Sequence, residues 1–127
     1  MSDLLGFDDC GVLRVSKSAD AELLLTFPLT YSLTGYVGTF VVRASEDAST
    51  ALLTVTTTAT AAGSVMIFDG RVATLRLKKT DLATLPEDAT DSDNPWVGVY
   101  EWVATDPDGL VSRLTANSIV VERGVVR

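Results

Sequence analysis

The sequence predicts an all-β protein, an antiparallel β-sandwich of about seven to eight strands. Three observations predict it. Short runs alternate apolar and polar residues, turn signals recur between them, and one short helical turn at residues 80–85 is stopped by Pro86. The 127 residues divide into a lead-in or edge segment, 1–18, and one sandwich domain, 19–127.

The lead-in is weakly patterned, but Val12, Leu13 and Val15 can add a short edge strand. Residues 22–27 put Leu23, Leu25 and Phe27 on one face, as a half-buried strand requires. Pro28 has no N–H to give a ladder, so it ends that strand or holds it at an edge. Residues 31–35 read as the loop to the next strand. Within residues 36–44, Phe40 and Val42 point one way, and Val37, Thr39, Val41 and Arg43 the other. A polar loop follows at 45–49. Residues 51–58 are rich in β-branched side chains and read as strand. The low-complexity tract that they open runs into a loop at Gly63.

Asp69-Gly70 separates two apolar runs and favours the positive φ angles of a two-residue type I′ turn. The second arm of that hairpin turns Ala73, Leu75 and Leu77 inward, against Thr74, Arg76 and Lys78. Thr80 is placed to cap the short helix with its hydroxyl. Leu82 and Leu85 then share a face and plug one end of the sandwich. After a polar loop at 87–94, residues 96–105 set Trp96, Tyr100, Trp102 and Ala104 against Val97, Val99, Glu101 and Val103. Asp106-Pro107-Asp108-Gly109 fits a type I turn, with Asp first, Pro second and Gly fourth. Residues 110–122 return with Leu114, Ala116 and Val120 on one face. Arg113, Thr115, Asn117, Ile119 and Val121 take the other.

Composition narrows the function. Seventeen acids against ten Lys and Arg give a net charge of −7. Nucleic acid is therefore not an expected partner, because phosphate binding needs clustered cations. Arg71, Arg76, Lys78 and Lys79 are the local basic cluster, either a solvated strand face or, at Arg76, Lys78 and Lys79, a docking patch for an acidic partner. Cys10 is the sole cysteine, so no internal disulfide forms, and a reducing compartment is expected. The start lacks the pattern of a signal peptide. The most apolar stretch, 23–29, is too short to cross a bilayer, so no membrane is expected as a partner.

No histidine is present, which removes the commonest general base and metal ligand. Nucleophile elbows, phosphate loops and dinucleotide fingerprints are absent as well. Cys10 has no histidine to activate it. Glu87, Asp88, Asp91, Asp93 and Asn94 form an acidic loop without EF-hand spacing, a solvated loop before it is a calcium site. Glu101 lies between Tyr100 and Trp102 but on the opposite strand face, a poor start for a glycosidase. Trp96 and Trp102 could stack on a sugar, although aromatics at period two usually serve the core. The expectation is a protein that is not an enzyme and needs no cofactor or metal.

Several strands are apolar on both faces. Val97, Val99 and Val103 fall opposite the aromatic face. Val37 and Val41, and Ile119 and Val121, repeat the pattern. Such strands have cover on both sides. Either the N-terminal segment supplies it, or these seven residues form a subunit interface.

The motifs in order resemble a family. They begin with Leu33-Thr34-Gly35 and Phe40-Val41-Val42-Arg43. Arg71-Val72-Ala73-Thr74-Leu75-Arg76-Leu77 follows, with Thr80-Asp81-Leu82 and Leu85, then Gly98-Val99-Tyr100-Glu101-Trp102-Val103. Gly109, Arg113-Leu114 and the ending Ile119-Val120-Val121-Glu122-Arg123-Gly124-Val125-Val126-Arg127 complete the series. From about residue 20 onward the chain resembles Ig-like domains of tailed-phage virion proteins. These include the N-terminal domain of baseplate upper proteins and short tail or fibre-attachment proteins. The resemblance implies an Ig-like sandwich that assembles with other virion proteins, as a homo-oligomer or in lattice contacts. The protein would be made in the host cytoplasm and end in the virion. In baseplate upper proteins a receptor-binding part follows this domain. Nothing follows Arg127, so the expectation is a docking module standing alone in the tail, baseplate or fibre-attachment region. A capsid decoration protein and a carbohydrate-binding module are the alternatives.

Overall fold

Two sheets pack face to face in the computed structural model, which describes residues 3–5, 12–17, 19–27, 32–86 and 96–122. In chain order the elements are β1 (Asp3–Leu5), β2 (Leu13–Ser16), β3 (Ala21–Thr26), β4 (Val37–Arg43) and β5 (Leu53–Thr56). They continue with β6 (Val65–Asp69), β7 (Val72–Leu77), α1 (Lys79–Leu82), β8 (Trp96–Thr105) and β9 (Val111–Glu122). One sheet runs β1-β3-β7-β6 and the other β2-β9-β8-β4-β5. The second sheet's β9-β8-β4-β5 run, facing β1-β3-β7-β6, is the strand order of an immunoglobulin-type sandwich.

Nine strands are described, more than the alternation predicts. β2 is the short edge strand expected around Leu13 and Val15, and β1 is an addition from the lead-in. β1 pairs antiparallel with β3. β2 pairs parallel with β9, Leu13 opposite Ile119 and Val15 opposite Val121, so the sandwich is not wholly antiparallel. A three-residue strand such as β1 has too few side chains to show a period.

The core fills the space between the sheets. Phe40 and Val42 of β4, Tyr100 and Trp102 of β8, Leu23 and Leu25 of β3, and Leu75 and Leu77 of β7 are all buried. Phe40 and Tyr100 stack with centroids 5.8 Å apart. Leu82 and Leu85 are buried at the end of the sandwich, as their spacing predicts. Met66 reaches from β6 to accept the Trp102 indole N–H.

Two local expectations are corrected. Asp69 pairs with Val72, so the central turn residues are Gly70 and Arg71, and only Gly70 has positive φ (58°). Positive φ confined to the first central residue is the type II′ pattern, not type I′. The helix begins at Lys79, so Thr80 lies inside it and caps nothing. Its first N–H donates instead to Oδ1 of Asp20, at 2.8 Å, from the end of the β2–β3 connection. That carboxylate does by tertiary contact what an N-cap side chain does locally.

The other predicted turn forms, and the loop at 31–35 holds a further one. Gly109 N–H donates to the Asp106 carbonyl at 2.9 Å, closing the predicted turn between β8 and β9. Tyr36 N–H donates to the Leu33 carbonyl at 3.0 Å, with Gly35 at φ 82°. Glycine in third place with positive φ marks a type II turn.

Candidate functional site: the outer face of the five-stranded sheet

Cross-strand register decides what this sheet shows to solvent. Phe40 sits opposite Trp102, and Val42 opposite Tyr100, with their side chains in the core. The alternate residues therefore point outward: Val37, Thr39, Val41 and Arg43 on β4, and Val97, Val99, Glu101, Val103 and Thr105 on β8. Val37 is 52% exposed and Val97 55% exposed, while Val41, Val99 and Val103 are half-buried. These five valines share one face, as expected from the sequence.

Ile119 and Val121 do not join them. Both are buried in the core, opposite Gly98 and Trp96 on β8 and Leu13 and Val15 on β2. The residues facing outward on this stretch of β9 are Ala116, Ser118 and Val120. Ile119, Val120 and Val121 are all buried, so the local pattern carries no sign of which face is inner. A register shift between Trp102 and Val103 leaves Leu114 as the extra residue of a bulge. Beyond it the alternation reverses, so Arg113 and Val111 also face outward. Val111 is 60% exposed and belongs to the apolar face, a membership hidden in the sequence by the bulge.

The N-terminal segment does not roof these valines where it is described. β2 extends the sheet beside β9 and lies in the same layer.

The face has a depression of about 700 Å³. Its floor is Val41, Val99, Ala116 and Ser118, where small β9 side chains leave room beside the longer ones on β8. Arg43, Glu46, Ala48 and Ser49 form one rim, the last three from the β4–β5 loop. On the other rim Arg113 donates through Nε and Nη2 to Oε2 of Glu101, at 2.8 and 2.6 Å. Arg43 is half-buried with no hydrogen-bond or ion-pair partner among the described residues. The signal for this groove was two small residues, Ala116 and Ser118, at outward positions of a long strand.

The basic cluster lies on the other sheet and the start of α1. Arg76 is paired with Glu22 at 2.9 Å, and Lys78 with Asp20 at 3.6 Å. Lys79 is exposed. Two of the three cations thus meet acids of their own chain, which weakens the patch as an attractor of acidic partners.

Trp102 has no exposed surface, and Trp96 packs half-buried against the core. Trp102 therefore offers a sugar no ring face for stacking. Among the described residues no group of three or more His, Cys, Asp or Glu could hold a metal. No helix among them is long and apolar enough to cross a membrane. Cys10 and the acidic loop with Glu87, Asp88, Asp91, Asp93 and Asn94 lie outside the described residues.

No protein-family model matches the chain, and no curated protein matches it. Among solved structures, the chain aligns with BcpA, the major pilin subunit of Bacillus cereus, at 8% identity and a TM-score of 0.27. That alignment covers 97% of this chain and 40% of the pilin chain, so this chain spans less than half of the pilin's length. The immunoglobulin-type order stated above rests on the strand pairing itself.

Proposed function

We propose that this chain is a non-enzymatic structural protein of a tailed-phage virion. It acts as a docking module in the tail, baseplate or fibre-attachment region, against other virion proteins or copies of itself. The observation that carries the docking role is the outer face of the five-stranded sheet. Val37, Val97 and Val111 expose more than half of their surface there, on the same face as a groove floored by Val41 and Val99. An apolar sheet face of this kind is normally covered in a working assembly. The virion setting is supported by the order of motifs from Leu33-Thr34-Gly35 to the final valine-rich strand.

Light scattering on a sizing column over a wide concentration range tests the role, with Val99→Glu as the comparison. Val99 points outward from the middle of β8, so a charge there leaves the core intact. Assembly that disappears in the variant while its melting temperature holds supports the reading. A variant that assembles like the parent chain sinks the assignment of this face.

A further inference from the structure

We infer that the tip of the β8–β9 hairpin of one copy seats in the Arg43 groove of the next, so that the chain associates head to tail. This rests on reading the face as a docking surface, and it names the occupant as a second copy of the chain.

The groove has one unmet demand. The Arg43 guanidinium is half-buried without a partner among the described residues. A carboxylate brought from outside would make the strong, charge-assisted pair that the guanidinium lacks. The floor beside it, Val41, Val99, Ala116 and Ser118, adds apolar contact for branched side chains within a mainly polar groove.

The hairpin tip offers the matching set. Asp108 is exposed, and its carboxylate has no partner among the described residues. Leu110 and Val111 are 67% and 60% exposed, two of the most exposed large apolar side chains described. The tip is also held in shape. Oδ1 of Asp106 accepts the N–H groups of Asp108 and Leu110, both at 2.9 Å. The Asp106 N–H returns to the Leu110 carbonyl at 3.0 Å. A loop already ordered by its own hydrogen bonds loses little freedom on docking.

A copy cannot satisfy itself. Val37 lies in the cross-strand row of Thr105 and Val111, next to the tip, whereas Arg43 is at the other end of β4. Six residues of strand separate them, about 20 Å. Tip and groove are thus different patches at opposite ends of one face. Their contact is heterologous and builds a ring if the rotation closes, or a filament if it does not.

A charge-swap experiment on the full chain tests this, with light scattering as the readout. Arg43→Asp sets acid against the acidic tip, and Asp108→Arg sets base against Arg43. Each variant alone should associate at least about tenfold more weakly than the parent, since like charges across a contact are costly. Mixed in equal amounts, the two should regain association, because each supplies the partner that the other needs. Neither residue is part of the buried core, and unchanged melting curves check the fold. A mixture that stays as weak as its components overturns the contact. So does either variant associating like the parent, or a parent chain that is monomeric at every concentration. Assembly that Val99→Glu abolishes but the mixture does not restore overturns this contact and leaves the docking face standing.

Discussion

Trp102 on β8 and Met66 on β6 are joined across the sandwich, the indole N–H donating to the Met66 sulfur at 3.1 Å. Both side chains are buried. An indole N–H in a core must find an acceptor, and a thioether is a weak one. Here it is what the facing sheet provides, so one pair both fills volume and satisfies a donor.

Met66→Leu separates these two roles. The swap nearly conserves volume and by packing alone should cost under about 1.5 kcal/mol. Leaving the Trp102 N–H unpaired in the core adds about 1–3 kcal/mol. A urea midpoint lowered at constant slope reads the sum. A loss no larger than the packing figure would show that the sulfur does not act as an acceptor.

Gly38→Ala tests how closely the sheets approach. Gly38 does not have positive φ, so backbone freedom is not its reason for being glycine. An added Cβ would lie 2.6 Å from the Val103 carbonyl, 2.7 Å from the Met66 sulfur and 2.9 Å from Cζ of Phe68. The carbonyl belongs to the neighbouring strand and cannot yield without moving the ladder. We expect a loss of about 1–3 kcal/mol, the range for overpacked cores. Gly109→Ala is the contrast, because nothing lies within 4 Å of its Cβ and any loss there comes from its φ of 92°.

These contacts mark where the sequence is legible and where it is not. Alternation in β3 and β7, and the aromatic side chains on one face of β4 and β8, identify Leu23, Leu25, Phe40, Val42, Leu75, Leu77, Tyr100 and Trp102 as core, and they are buried. A half-buried strand writes its orientation into its own residues. β9 does not, because Ile119, Val120 and Val121 are apolar whichever face is inner. The bulge at Leu114 then inverts the faces between Thr115 and Arg113. The Asp20 contact to Lys79 and the parallel pairing of β2 are tertiary, made between residues distant in the chain. The groove needed both the β9 register and the β4–β5 loop, neither of which shows as a local period.

Leu13→Ala asks how firmly the lead-in belongs to the fold. Leu13 is fully buried on β2, paired with Ile119. Removing its side chain leaves a cavity between the sheets, at a cost of about 2–5 kcal/mol. Arg14→Ala, exposed on the same strand, should stay within about 0.5 kcal/mol of the parent. Equal midpoints for the two variants would mean that β2 can detach without disturbing the sandwich.

Asp20→Asn gives the pH signature of the helix contact. The Asp20 carboxyl is held below its ordinary value, first by the hydrogen bond from the Lys79 N–H and then by the charge of Lys78, with burial opposing both. A carboxylate with a depressed folded-state pKa stabilises the fold when ionised. That contribution is complete well above the unfolded value of about 3.9 and disappears as pH falls through the folded one. Asparagine keeps an oxygen for the Lys79 N–H and removes only the charge. The variant should therefore unfold at lower urea than the parent at pH 7, and the gap should shrink steadily on acidification below about pH 4. A gap that stays constant across that range would assign the difference to side-chain geometry and not to the charge of Asp20.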